Sequence, residues 1–242
     1  MKVVGIIPCR YGAVRFPGKA LADIHGKPMM WHVYQQASKA ALLNKIFIAT
    51  DDDRISNVCK DLNLPVMMTR HDHPTGTDRL VECMESIRAD TYVNIQGDEP
   101  MIAPEAIDVV TQAIMKIDDP RVLASNGFKA IHDPAEAVNV NTVKVTMTVT
   151  GMALAYSRLP IPYPKDGSAQ FYRQLGLYAF RKVGLETFAA HRPGPLELAE
   201  GVEMLRFLEH GYGVAMVRTP DDNAISVDTL ADLEQVRRLI AA

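Results

Sequence analysis

No Gly-x-Gly-x-x-Gly follows the first apolar run of the chain, and no Lys-Ser or Lys-Thr pair closes a P-loop. The near match, Gly12 to Gly18-Lys19, has five intervening residues and is followed by Ala20, where a Walker loop needs a magnesium-binding hydroxyl. These absences argue against a nicotinamide oxidoreductase and against P-loop phosphate binding. Cysteine is scarce: Cys9, Cys59 and Cys83 are odd in number and far apart. They make neither a disulfide framework nor a metal-ligand pair, which suits a reducing cytoplasm, with Cys9 as a small buried strand-end residue. No apolar run reaches the ~20 residues of a membrane helix. The N-terminal run breaks at Pro8, too short for a signal-peptide core. A formal net charge of −3 provides no footprint for nucleic acid. Nothing in the chain supports a Ser-His-Asp triad, and there is no internal repeat or low-complexity segment.

The 242 residues, 48% hydrophobic and 23% charged, have an ordinary globular composition. Strand-like runs at Val3–Pro8, Lys45–Thr50, Pro65–Met68 and Thr91–Ile95 alternate with helical stretches. These start at Pro28 and cover Asp51–Leu62, Asp78–Arg88 and Pro104 to roughly Ile117. This order predicts an α/β fold with a mainly parallel sheet, whose ligands bind beyond the carboxyl ends of the strands. From Arg121 the pattern changes to strands at Val122–Phe128, Val143–Val149, Ala153–Ser157 and Leu177–Arg181, with no long helix between them. Alternation over Val143–Val149 predicts a half-exposed antiparallel strand. Helix Leu196–His210, strand Gly213–Arg218 and a last helix from Thr229 complete the chain. We expect a single domain over 1–242, with 121–182 as an antiparallel subregion for acceptor binding and dimerisation.

Four segments carry candidate chemistry. Pro8-Cys9-Arg10-Tyr11-Gly12-Ala13-Val14-Arg15-Phe16-Pro17-Gly18-Lys19 turns out of the first strand and presents Arg10, Arg15 and Lys19, a cation set suited to a nucleoside triphosphate. Asn94-Ile95-Gln96-Gly97-Asp98-Glu99-Pro100 places Asp98 at another strand end, where a carboxylate holds magnesium or an Asx-turn leads into Pro100. In Ile225-Ser226-Val227-Asp228-Thr229-Leu230-Ala231-Asp232, Asp228 is either a second metal carboxylate or the start of a helix whose capping box is Thr229-x-x-Asp232. Thr75-Gly76-Thr77-Asp78-Arg79 suits a ribose or phosphate contact at a helix start, or a capped surface helix. Asp51-Asp52-Asp53 reads as a solvated helix N-terminus, and His71 and His73 as part of a polar loop.

Together these motifs resemble the 3-deoxy-manno-octulosonate (Kdo) cytidylyltransferases: P-x-R-Y-x-x-x-R-x-P-G-K, H-x-x-G-T-D-R, N-x-Q-G-D-E-P and V-D-T-x-x-D-L, over nearly the whole chain. The resemblance implies a nucleotidyltransferase (Rossmann-like) fold with a small dimerisation lobe, a homodimer, and a cytoplasmic role in lipopolysaccharide biosynthesis. It also implies transfer of CMP from CTP to a 3-deoxy-2-keto sugar acid, with magnesium and release of pyrophosphate. By the same resemblance Arg10, Arg15 and Lys19 bind the triphosphate, Thr75, Gly76 and Arg79 line the nucleotide site, and Asp98 and Asp228 ligate magnesium. Gln96, Arg158, Gln174, Tyr178, Glu203 and Met204 fall on acceptor-side motifs. Two of these depart from the family: Gln174 stands where histidine is usual, and Met204 where glutamine is usual. Ala13 and Cys9 are smaller departures. The CTP half therefore matches more closely than the acceptor half, so the alternative acceptors are a modified ulosonic acid or a small phosphonate. A non-catalytic nucleotide-binding regulator is the rival class, and retention of both carboxylates favours the enzyme.

Overall fold

The Val/Ile run near the N-terminus becomes a strand buried on both faces, as an interior strand of a parallel sheet requires. The computed structural model describes residues 1–12, 16–220 and 224–240. In chain order the elements are β1 (Val3–Cys9), β2 (Asp23–Ile24), β3 (Lys27–Pro28), α1 (Met29–Ala37), β4 (Lys45–Thr50), α2 (Asp53–Asp61), β5 (Val66–Met68), α3 (Gly76–Ser86), β6 (Thr91–Asn94) and α4 (Pro104–Lys116). They continue with β7 (Val122–Ile131), α5 (Pro134–Val138), β8 (Lys144–Met147), β9 (Ala153–Ser157), β10 (Phe171–Arg181), α6 (Lys182–Ala190), α7 (Pro195–Glu200), α8 (Leu205–Glu209), β11 (Gly213–Arg218) and α9 (Leu230–Ile240). Two compact units result, Met1–Asp108 with Asp221–Ala242, and Val109–Pro220.

In the first unit β1 pairs in parallel with β6 on one side and β4 on the other, and β4 pairs in parallel with β5. The βαβα reading of residues 1–115 is therefore realised. In α1, Met29, Met30, Val33 and Ala37 are buried, the face expected from their helical spacing. The last helix belongs to this unit as well. Leu233 and Val236 of α9 join Val227, Ile24 and Met29 in one buried cluster, which anchors the segment carrying Asp228.

The second unit is largely antiparallel. β7 pairs with β10, β10 with β8 and β8 with β9 in that sense, while β11 runs parallel to β7. The strand expected over Val143–Val149 is antiparallel, but it does not alternate. Lys144 is fully buried beside Val145. Its ammonium donates to the carbonyls of Asn139 (2.9 Å), Thr142 (2.6 Å) and Arg158 (2.5 Å), which makes the burial tolerable. Burial and then the nearby Arg158 charge hold its pKa below the ordinary lysine value.

Other departures have local causes. The helix expected over Leu196–His210 is split into α7 and α8, because Gly201 takes a left-handed conformation (φ 64°) and ends α7. β10 starts six residues before the expected Leu177, at Phe171. Its pairing with β7 is interrupted by a bulge between Gln174 and Tyr178. Asn126 Nδ2 holds that bulge, donating to the carbonyls of Leu175 (2.8 Å) and Leu177 (3.1 Å).

Candidate active site

The cationic loop leaves the carboxyl end of β1 and closes on itself. Gly18 N donates to Tyr11 O at 2.7 Å. Gly18 has φ 70°, and a Cβ there would meet the Tyr11 ring at 2.9 Å, so the closure needs glycine. The Arg54 guanidinium stacks on the Tyr11 ring, 3.3 Å from its centroid, while pairing with Asp52 at 2.7 Å. Lys19 then opens a short 3-10 turn, Lys19–Leu21. Arg10 is exposed; Ala13 and Arg15 lie outside the described residues.

The turn after β6 lies against the end of β1. A Cβ on Gly97 would sit 2.7 Å from Cys9 Sγ and 2.9 Å from Pro8 O, so only glycine lets the Asp98 turn approach this closely. The C-terminal segment reaches the same place. Val227 N donates to Asp98 O at 2.8 Å.

The neighbours of Asp228 show which residues cap the helix. Asp232 Oδ2 accepts from Thr229 N (2.8 Å), Thr229 Oγ1 (2.8 Å) and Asp228 N (3.1 Å), and Asp232 N donates to Thr229 Oγ1 at 3.3 Å. Thr229 and Asp232 thus cap the helix, and the Asp228 carboxylate is used elsewhere. Lys19 Nζ lies 2.5 Å from Asp98 Oδ2, 3.2 Å from Asp228 Oδ1 and 3.4 Å from Val227 O. Residues 19, 98 and 228 therefore meet at one point. Burial works to lower the Lys19 pKa, but Asp98, by charge and hydrogen bond, and then Asp228 outweigh it and hold the ammonium above its ordinary value.

Two carboxylate oxygens converging on one cationic centre form the hard-oxygen set that magnesium shares with phosphate oxygens and water. Among the described residues no group of three or more His, Cys, Asp or Glu could hold a metal ion. The remaining ligands of an ion at Asp98 and Asp228 would have to come from substrate and solvent, which is the usual coordination of magnesium at a nucleotide. The residues present fit the ion.

The Thr75–Arg79 segment has a structural anchor. Thr75 caps α3, accepting from Asp78 N (3.2 Å) and donating to Asp78 Oδ2 (2.6 Å). Gly76 is the first residue of that helix. Arg79 is buried; it pairs with Asp51 at 3.3 Å and donates to Thr69 Oγ1. Asp51 is therefore held in an ion pair, while Asp52 caps α2 by accepting from Arg54 N at 2.9 Å. His73 bonds Glu82, which also accepts from Arg70 N at 3.0 Å and closes the polar loop. Gln96 is half-buried, and its carbonyl accepts from Glu99 N at 3.3 Å.

The other acceptor-side residues belong to the second unit. Gln174 and Tyr178 hydrogen-bond each other at 3.2 Å across the bulge of β10. Arg158 donates through Nε to Glu200 O (2.7 Å) and through Nη1 to Val140 O (2.9 Å). Its backbone N donates to the Glu200 carboxylate at 2.8 Å, which also accepts from Ser157 Oγ at 2.8 Å. Glu203 is half-buried, and Met204 is fully buried, so the Met204 side chain packs where a glutamine amide would need partners. The Tyr11–Arg54 stack, the Asn126 brace and Glu200 escape motif reading, because each acts on a residue remote in sequence.

The pattern that defines the cytidylyltransferase family matches residues 4–218. A 3-deoxy-manno-octulosonate cytidylyltransferase from Solibacter usitatus is 43% identical over 243 residues, covering 100% of this chain and 95% of that protein. The Escherichia coli protein of the same name is 41% identical over 99% of this chain and 96% of its own. Among solved structures, a CMP:2-keto-3-deoxy-manno-octonic acid synthetase complexed with CTP superposes with a TM-score of 0.93 at 40% identity, covering 100% of this chain and 99% of that one. A cytidylyltransferase from Leptospira borgpetersenii, at 15% identity and a TM-score of 0.67, covers 100% of this chain and 87% of its own, and shares the fold.

Proposed function

The chain belongs to the cytidylyltransferase family, and on that footing we propose that it transfers CMP from CTP to Kdo and releases pyrophosphate. The observation that carries this reading is the meeting of Lys19 with Asp98 and Asp228 beside a cationic loop, at the carboxyl end of β1. Full-length likeness to Kdo cytidylyltransferases supports the acceptor.

The reaction is an in-line displacement: the acceptor hydroxyl oxygen attacks the α-phosphorus, and the bond to the pyrophosphate oxygen breaks. We assign Arg10, Arg15 and Lys19 to the β- and γ-phosphates, where their charge balances that building on the leaving group. Asp98 and Asp228 would hold a magnesium ion, which when bound supplies Lewis-acid charge at the α-phosphate and the attacking hydroxyl. Thr75 and Gly76 are assigned to the nucleotide. Arg79, bound to Asp51 and Thr69, acts on it by shaping the start of α3. Gln96, Arg158, Gln174, Tyr178, Glu203 and Met204 are assigned to the acceptor side.

Gln174 in place of the family's histidine favours a second reading, CMP transfer to a modified ulosonic acid or a small phosphonate. One experiment separates the two: pyrophosphate release from CTP and magnesium against Kdo, other ulosonic acids and phosphonates. Release that requires both CTP and Kdo is expected. Release with none of the acceptors overturns the enzyme reading, and release only with another acceptor replaces Kdo.

CTP as substrate and three free cysteines support a cytoplasmic location. No helix among the described residues is long and apolar enough to cross a membrane. We further propose a homodimer. Its support is the set of exposed apolar side chains Val138, Val140, Leu154, Leu159 and Tyr163 in the second unit, and light scattering tests it.

A further inference from the structure

Lys19 is seated in the aspartate pair as a cation with a full set of acceptors. A lysine ammonium has three N–H donors. Here it has three oxygens within reach: Asp98 Oδ2 at 2.5 Å, Asp228 Oδ1 at 3.2 Å and Val227 O at 3.4 Å. The backbone behind these acceptors is fixed by other means. The Asp98 carbonyl is tied to Val227 N, the Asp228 amide is tied to Asp232, and Val227 is buried in the cluster with Leu233 and Val236. Lys19 is the adjustable member. Its charge rides on a flexible four-carbon stem at the start of a short 3-10 turn.

A divalent ion ligated by these two carboxylate oxygens would need the lone pairs that Nζ now uses. It would also stand within a few ångströms of a like charge. Ion and ammonium therefore exclude each other at this point. A nucleoside triphosphate changes the balance, because its phosphate oxygens offer the ammonium another set of acceptors within reach of the same loop.

We propose that Lys19 is a resident counter-ion of the Asp98–Asp228 pair, which a divalent ion must displace and which the triphosphate draws away. The inference rests on the reading of Asp98 and Asp228 as the metal carboxylates. Lys19 keeps the two acidic side chains together until the nucleotide arrives, and the ion binds well only once the nucleotide has arrived. By linkage, the ion strengthens nucleotide binding by the same factor.

The test is manganese binding, followed by the paramagnetic resonance of free Mn2+, with no acceptor present. Without nucleotide, Lys19→Met is expected to bind Mn2+ at least about tenfold more tightly than the parent, the lower end of what one competing charged hydrogen bond is worth. Adding Asp98→Asn to that variant abolishes the gain. Saturating CTP narrows the gap between variant and parent, the Mn2+–CTP background being common to both. Lys19→Gln repeats the measurement should the methionine variant fold poorly, and Lys19→Arg, which keeps the charge, stays near the parent.

If Lys19→Met and Lys19→Gln gain no affinity while turnover of the parent still needs a divalent ion and Asp98, this inference falls and the metal assignment stands. If the parent turns over without any divalent ion and no variant binds Mn2+, both fall together.

Discussion

Replacing Asp98 by asparagine separates the chemical role of the cluster from its structural one. The substitution keeps side-chain size and leaves the Val227 N to Asp98 O bond untouched. It removes one charge from a pair 2.5 Å apart, with side chains only 20% and 17% exposed. Lys19 keeps Asp228 Oδ1 and Val227 O as partners, so the ammonium is not stranded. The cost in stability is then that of one charged hydrogen bond, about 1.5–3 kcal/mol. In a chain of this length that lowers Tm by roughly 3–12 °C, leaving the protein folded at 25 °C.

Catalysis loses far more. Removing one group aimed at charge developing in a transition state costs about 100- to 1,000-fold in kcat. The assay pairs pyrophosphate release over a magnesium titration with a thermal melt. We expect kcat/KM to fall at least about 100-fold while the melt moves by a few degrees. Near-parental turnover at ordinary magnesium would refute the metal role. So would a loss of activity that merely tracks loss of folded protein.

Three further substitutions probe packing and charge in the two units. Arg206→Met leaves Glu197 buried without its partner (Nη2 to Oε1 2.6 Å, side chains 4% and 6% exposed). It should cost about 3–5 kcal/mol, seen as a large fall in Tm, and adding Glu197→Leu should recover part of it. Gly97→Ala puts a methyl 2.7 Å from Cys9 Sγ and 2.9 Å from Pro8 O. The strain, about 1–3 kcal/mol, shifts the Asp98 turn and lowers turnover, and Cys9→Ala relieves only the sulfur contact. Glu82 is held below its ordinary pKa of 4.5: burial opposes this, but the Arg70 amide, His73 and the Arg70 charge outweigh it. Its contribution to stability is present above 4.5 and lost as pH falls through the lower folded value, so Glu82→Gln should flatten the acid limb of a stability-against-pH curve.

What the sequence made legible was local. Lys45–Thr50, Ala153–Ser157 and Gly213–Arg218 are strands with the expected limits, because each is a β-prone run bounded by residues that stop pairing. The split of α7 from α8 was available in Gly201, whose left-handed turn ends a helix that apolar periodicity alone would continue. β10 was harder, since Gln174 and Gly176 break the pattern where the bulge needs them to, and Asn126, remote in sequence, stabilises the bulge. α5 and α6 were missed: α5 is a five-residue helix that begins at Pro134, and α6 starts directly from the end of β10 without a side-chain cap. In the site, the cationic loop and Asp98 were readable as strand ends. Arg79 was expected to line the nucleotide site; its pairing with Asp51 was not readable, because no spacing rule joins those two positions.

Asp228 shows how such a site is assembled when no local signal specifies it. A residue at the start of a helix is expected to spend its carboxylate on the first-turn amides. Here the adjacent Thr229 takes that task with Asp232, whose carboxylate also binds the Asp228 amide. The Asp228 side chain is released toward Lys19, but its position then depends on where the helix docks. That docking comes from Leu233 and Val236 against Ile24 and Met29, residues of the β2 to α1 segment. Ile24 follows Lys19 by only five positions in the chain. The segment that carries the ammonium is therefore also the segment that receives the helix carrying its carboxylate. Loosening α9 would displace Asp228 from Lys19 while the Val227 to Asp98 backbone bond strained to hold the turn. Stability of α9 and charge balance at the candidate site are, for this reason, one property of the first unit.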